Sequence, residues 1–157
     1  MKTLIKSILI ISFFLWSGCG FKVVDSYNNF TIQTINTDGK NNRINYKIRN
    51  HLLVNAEENS ENVFSIDIET KIIKTIKEKN IKNEITKYNV NLNTNVNTYL
   101  LERNKKNSFS LSTSGDYIVD SSNYSTTIRN EKNLLDNLTE ELAKKIIKKI
   151  TRTINDL

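Results

Sequence analysis

Residues 64–76 read FSIDIETKIIKTI, and residues 88–100 read YNVNLNTNVNTYL. In both stretches apolar residues and threonines occupy most even positions, while the odd positions between them are mostly polar. A period of two is typical of a β-strand with one buried face. The polar connection at residues 77–83 is short enough to join the stretches as an antiparallel hairpin. The sequence therefore predicts a long hairpin at the centre of the fold.

Two further strands are predicted on either side of this hairpin. A short stretch around Phe30, Ile32 and Thr34 precedes it, and residues 109–119 alternate on odd positions after it. Gly115 lies inside the later stretch, where a glycine predicts a bend or bulge. The sheet is thus expected to have four strands.

Two segments have helical spacing instead. Asp38 is expected to cap a first helix with apolar residues at every fourth position, and a final helix repeats them at i, i+3 and i+4 for more than five turns. The stripes are Ile44, Ile48 and Leu52, then Leu135, Leu138, Leu142, Ile146, Ile150 and Ile154. The final helix also places Glu140 and Glu141 four residues before Lys144 and Lys145, the spacing of helical ion pairs. Together the elements predict an α+β fold, a four-stranded sheet with two helices packed on one face in the order β-α-β-β-β-α.

The second face of this sheet is predicted to be polar and mostly uncharged. It is lined by asparagines at the odd positions from Asn89 to Asn97 and by Ser110, Ser112 and Ser114. Such a face either meets water or packs against a partner whose surface is also hydrophilic.

The first 18 residues have the organisation of a secretory leader. Lys2 and Lys6 precede an apolar core at residues 8–16, and the small residues Ser17 and Gly18 follow it. The core is too short to span a bilayer, which requires roughly twenty residues. We therefore predict a cleaved signal peptide at residues 1–18 and a single domain at residues 19–157.

Cys19, the only cysteine of the chain, follows the leader directly and is predicted to carry a covalent lipid. Trp16 stands where a lipoprotein signal usually has leucine. The alternative is a free thiol, but the chain has no second cysteine to form a disulfide in an oxidising compartment. Because Gly20, not aspartate, follows the cysteine, the predicted location is the periplasmic leaflet of the outer membrane.

The composition argues against most enzyme classes and against nucleic-acid binding. His51, the only histidine, lies on the first predicted helix next to its apolar stripe, which argues against a histidine-based triad. With a single cysteine as well, there is no cluster of zinc ligands, and four dispersed glycines form no phosphate loop. Hydrolysis catalysed by carboxylates alone, such as Asp67 and Glu69, remains open. No feature of the sequence indicates the burial or unequal pKa values that it would need. Loss of Lys2 and Lys6 with the leader lowers the formal net charge from +6 to +4, which on its own is not a nucleic-acid footprint. We expect no enzymatic activity and no cofactor beyond the lipid on Cys19.

The order and lengths of these blocks resemble those of the LPS-assembly lipoprotein family LptE. The resemblance covers the whole mature chain, from Cys19-Gly20-Phe21-Lys22 to the closing helix with LAKKIIKKI at residues 142–150. It implies a non-enzymatic protein that plugs the outer-membrane barrel LptD, helps it to assemble and contacts lipopolysaccharide on its way to the cell surface.

Because lipopolysaccharide carries phosphates, this resemblance suggests basic contact residues. The candidates are Lys77, Lys79 and Lys82 at the hairpin tip and Arg129, where the final helix is expected to begin. For each of them, a solvated charge without a ligand is the other interpretation.

Two other functions remain open. The first is a free, periplasm-facing outer-membrane lipoprotein that binds a small ligand or an envelope polymer. In the second, the basic final helix lies on an anionic membrane, although its apolar stripe has the width needed to pack on the sheet.

Overall fold

The computed structural model describes residues 29–38 and 42–156. It contains β1 (Thr31–Asp38), α1 (Asn42–Val54), β2 (Val63–Lys79), β3 (Ile85–Leu100), β4 (Lys105–Ile118) and α2 (Tyr124–Asn155). This confirms the predicted α+β class and the order β-α-β-β-β-α. Cys19 and the predicted signal peptide lie outside the described residues, as does the start of the predicted single domain.

The four strands form one sheet in the order β1-β2-β3-β4. β1 runs parallel to β2, and the other two pairs are antiparallel. The hairpin is longer than predicted, because β2 continues to Lys79 and β3 begins at Ile85. Its connection is therefore residues 80–84, not 77–83.

The core lies between one face of the sheet and both helices. The predicted α1 stripe is buried, and in α2 Leu142 and Ile146 are fully buried. Their partners on the sheet include Phe64, Ile66, Ile68, Val90, Leu92 and Val96. The stripe of α2 is thus occupied by the sheet and is not free to enter a lipid surface. Among the described residues, no helix is both long enough and apolar enough to cross a membrane.

Two predictions for β1 and its surroundings are wrong. Ile32 pairs with Phe64 and Ile35 with Ile66, because a register shift between Ile32 and Thr34 changes the alternation. Thr34 consequently lies on the polar face, where its hydroxyl is 2.6 Å from that of Ser65. Asp38 does not cap a helix, since it is the last residue of β1 and α1 begins only at Asn42.

Gly115 is not at a bulge. It pairs with Val90 in an unbroken register between β3 and β4. A Cβ at this position would lie 2.7 Å from Leu134 Cδ1, so any side chain here requires the end of Leu134 to shift. Glycine allows α2 to pack closely on the strand and does not mark a bend.

The final helix begins earlier than predicted. Its N-cap is Asn123, whose side-chain oxygen accepts a hydrogen bond from the main-chain nitrogen of Thr126 at 3.2 Å. Arg129 therefore lies in the second turn of α2 and not at its start.

The predicted ion pairs of α2 form, with Lys144 Nζ 2.6 Å from Glu140 and Lys145 Nζ 2.9 Å from Glu141.

Candidate functional site

Lys77, Lys79 and Lys82 lie where the hairpin extends past the core, and Arg129 lies beside it in α2. We call this region the hairpin end and define it as residues 71–88, Ile118 and residues 124–131. Its turn is ordered by Asn80, whose side-chain oxygen accepts from the main-chain nitrogens of Lys82 at 2.9 Å and Glu84 at 3.0 Å. Asn83 has a φ of 62°, a left-handed conformation that asparagine tolerates better than most residues. The turn therefore presents Lys79 and Lys82 from a defined backbone.

Contacts between α2 and the strands bring Arg129 to the same end. Lys74 Nζ is 2.9 Å from a carboxylate oxygen of Glu131, and Asn130 Nδ2 donates to the main-chain oxygen of Ile118 at 3.2 Å. Ile118 in turn pairs with Lys87 of β3. The first turns of α2 thus lie beside the hairpin, and sequence spacing alone contains no signal of this proximity.

The four predicted residues differ in their partners. Lys77 pairs with Asp116, and this hydrogen bond raises the pKa of Lys77. Hydrogen bonds from Asn89 and then from Lys77 hold the pKa of Asp116 below its ordinary value. Lys79 donates to Asn83 Oδ1 at 2.9 Å.

Lys82 and Arg129 are both exposed. Within residues 29–38 and 42–156, neither side chain forms an ion pair or a hydrogen bond. They are therefore the two predicted cations that are free to receive an anionic ligand.

Exposed apolar side chains concentrate at the hairpin end. Seven of the ten large hydrophobic residues that are exposed in the described part of the chain lie there: Ile72, Ile73, Ile76, Ile81, Ile118, Tyr124 and Ile128. Ile72 and Ile76 occupy even positions that were predicted to be buried, yet they are 36% and 50% exposed because the helices do not cover this part of β2. The hairpin end is therefore both basic and apolar.

Aromatic contacts hold the base of this region. Tyr88 and Tyr117 stack with their ring centroids 5.5 Å apart. Lys74 Nζ lies 4.4 Å from the Tyr88 centroid and 5.0 Å from that of Tyr117. Such cation–π contacts, together with the Glu131 pair, fix Lys74 between the strands and α2.

The polar sheet face has the predicted composition. Ser108 donates to Asn97 and Ser110 to Asn95, both at 2.7 Å, so the side chains form hydrogen bonds across the strands. A cleft of about 420 Å³ opens on this face, lined by Ser65, Asp67, Asn97, Thr98, Tyr99, Lys106, Asn107 and Ser108. Its lining offers many hydrogen-bonding groups and one aromatic ring.

The described residues contain no cluster of three or more histidine, cysteine, aspartate or glutamate side chains suited to a metal ion.

This sheet with two helices on one face is a fold found in solved structures of lipoproteins. Rare lipoprotein B from Shewanella oneidensis aligns with a TM-score of 0.61 at 12% identity, covering 78% of this chain and 97% of that one. A minor lipoprotein from Acinetobacter baumannii aligns with a TM-score of 0.58 at 14% identity, covering 80% and 92%. Lipoprotein B from Nitrosomonas europaea aligns with a TM-score of 0.53 at 13% identity, covering 80% and 85%.

At these identities the likeness is one of fold. No protein-family model matches the sequence, and no curated protein is significantly similar to it.

Proposed function

We propose that this protein is a non-enzymatic envelope lipoprotein, anchored through a lipid on Cys19 in the periplasmic leaflet of the outer membrane. In this proposal it is the partner and plug of an LptD-type barrel, which it helps to assemble, and it contacts lipopolysaccharide during transport to the cell surface. The observation that carries the proposal is the fold, since the chain superposes on 97% of rare lipoprotein B from Shewanella oneidensis.

The hairpin end supports the lipopolysaccharide contact. This ligand combines phosphate groups with acyl chains, and it therefore needs a surface that is both cationic and apolar. Lys82 and Arg129 supply positive charges that have no ion-pair partner among the residues the structure describes, and Ile81 at the turn is fully exposed. Charge-assisted hydrogen bonds to phosphate are among the stronger polar contacts.

The polar sheet face supports the contact with a barrel. Large outer-membrane barrels have polar interiors that are often plugged. The asparagine and serine side chains of this face, such as Asn95 and Ser110, match such a wall through hydrogen bonds.

The partner is tested by co-purification. The full-length tagged protein, extracted from its native envelope in mild detergent, is expected to retain an LptD-type barrel. Mass spectrometry of its N-terminus should find diacylglyceryl and an amide-linked acyl chain on Cys19. Recovery of the lipidated protein without a barrel would overturn the partnership while leaving the anchor intact.

The ligand is tested with charge reversals at the hairpin end. The double variant Lys82→Glu with Arg129→Glu is expected to bind purified lipopolysaccharide at least about tenfold more weakly, since two contacts to anions become repulsive. Lys148→Glu with Lys149→Glu is the matched control, because it makes the same change in net charge at two exposed residues of α2. An equal loss in both double variants would mean that net charge alone governs binding.

The polar cleft supports a second function, a free outer-membrane lipoprotein that binds a small polar ligand or an envelope polymer. Polyhydroxylated ligands match a lining with Asp67, Asn97 and Tyr99. This function predicts that soluble peptidoglycan fragments bind to the native chain and that Asp67→Ala weakens them. Absence of a barrel partner together with such binding would favour it over the plug.

A further inference from the structure

Within the described part of the chain, one edge of β2 has no neighbouring strand beyond Glu69. β1 pairs with β2 only as far as Glu69, whereas β3 accompanies β2 to Lys79. Every residue at 71–79 is exposed. Among the described residues, none forms main-chain hydrogen bonds with the outer side of this segment. We call residues 71–79 the free edge. It presents a row of unpaired main-chain donors and acceptors, which is a template for pairing with another chain.

The side chains of the free edge alternate between the two sheet faces. Ile72, Lys74 and Ile76 lie on the helix side, because they pair with the core-facing residues Leu92, Val90 and Tyr88. Lys71 and Ile73 lie on the polar side, opposite Asn93 and Asn91. A strand added at the free edge therefore lies beside lysine and isoleucine side chains on both faces of the sheet.

A second copy of this chain is a poor occupant. The free edge has lysines at positions 71, 74, 77 and 79 and a single acidic residue, Glu78. Pairing two such edges places lysines of both strands next to one another, and like charges on neighbouring strands are destabilising. Lysine on an edge strand is a usual device against self-association.

We propose that the free edge accepts an extended segment of a partner polypeptide as a fifth strand. The segment has an acidic side chain beside Lys71 and apolar side chains beside Ile72, Ile73 and Ile76. Main-chain hydrogen bonds supply much of the affinity in this mode of recognition, and the alternating side chains supply the specificity. Lys71 forms an ion pair with Glu69 at 3.1 Å, and both side chains are exposed. Replacing Glu69 by an acidic residue of the partner as the counter-ion of Lys71 therefore costs little free energy. This inference goes beyond the proposed function and does not depend on which protein supplies the segment.

The test uses the native chain and a synthetic probe, acetyl-Glu-Val-Val-Glu-Val-Val-Glu-amide. Its sequence is the same in both directions, so it can add parallel or antiparallel. Amide hydrogen exchange is expected to be fast in the free protein at those alternate residues of 71–79 whose main-chain N–H points away from β3, and to slow there on addition of the probe. Slow exchange of these outward-pointing amides before addition would overturn the proposal, since it would mean that the edge is already covered. Protection at other residues only would also overturn it.

Two N-methylated probes separate strand addition from attraction by charge. One is methylated at its odd positions and the other at its even positions, which removes main-chain donors on opposite sides of the peptide. Binding is expected to weaken for at least one of them, because each keeps its main-chain donors towards the free edge in only one strand direction. If both bound as tightly as the unmethylated probe, strand addition would be refuted, because side-chain charge would suffice.

The protein variant for this experiment is Lys71→Glu. It is expected to bind the probe about fivefold more weakly, since one favourable cross-strand pair becomes repulsive. Lys148→Glu is the control, an exposed α2 lysine with the same change of charge. An unchanged affinity in Lys71→Glu, or an equal loss in both variants, would contradict the proposed contact.

Discussion

Replacing Leu142 by alanine tests how much the contact between α2 and the sheet stabilises the fold. Leu142 is fully buried and belongs to the core shared by both helices and the sheet. Each buried methylene contributes about 0.8 kcal/mol, so loss of the three outer carbon atoms costs about 2.4 kcal/mol by transfer alone. The cavity left behind adds to this cost, and we expect a total near 3 to 4 kcal/mol. Such a loss is a large part of the stability of an ordinary domain.

Urea denaturation followed by far-ultraviolet circular dichroism measures this difference. The control is Leu53→Ala in α1, because Leu53 is 43% exposed and its truncation is expected to cost about 1 kcal/mol or less. Equal shifts in the two denaturation midpoints would refute the assigned burial of the α2 stripe. Leu142→Asp should fail to fold; a folded protein that has only lost binding to anionic vesicles would favour a membrane-bound helix instead.

Three smaller changes test individual contacts. Gly115→Val should destabilise the fold by about 1 to 3 kcal/mol in thermal unfolding, because the new side chain overlaps Leu134, while Gly115→Ala costs less since that leucine end can shift. Asn123→Ala should lower stability by about 1 kcal/mol in urea denaturation through loss of the α2 N-cap, and Asn123→Asp should restore it. A hydrogen bond from Lys47 holds the pKa of Asp136 below its ordinary value, so this carboxylate stabilises the fold above about pH 4 and loses that effect as the pH falls further. Asp136→Asn should thus cost less than about 1 kcal/mol at pH 7, and the difference from the native chain should vanish in acid; a difference that persists there would contradict the ion pair.

Much of the fold could be predicted because its buried faces are continuous. The strand around Phe64 contributes to the core over several residue pairs, and the stripe around Leu142 does so over several helical turns. The apolar periodicity of the sequence therefore predicts both directly. The shift between Ile32 and Thr34 could not be predicted, because one inserted residue reverses the phase of a short strand. Gly115 was misread for a related reason: the close approach of Leu134 is a tertiary contact that local sequence does not contain.

The candidate site was predicted only in part. Lysines in a polar connection indicate an exposed tip, which is where Lys79 and Lys82 lie. The exposure of Ile72 and Ile76 depends on how far the helices cover the sheet. An alternating sequence pattern is the same whether or not a helix covers the strand, so it does not predict this exposure. That Arg129 belongs to this end follows from the contact of Asn130 with Ile118, which no spacing rule supplies.

The parallel pairing of β1 with β2 gives the molecule a direction relative to its proposed tether. Because Thr31 pairs with Val63, the chain enters the sheet at the end of β2 that is remote from the turn. β2 has 17 residues, and at about 3.3 Å per residue it spans about 55 Å. In the proposed lipoprotein, the described part of the chain therefore begins at the end of the sheet where β2 starts. The hairpin end lies at the opposite end of β2, as an arm that reaches far from the point where the chain enters the sheet.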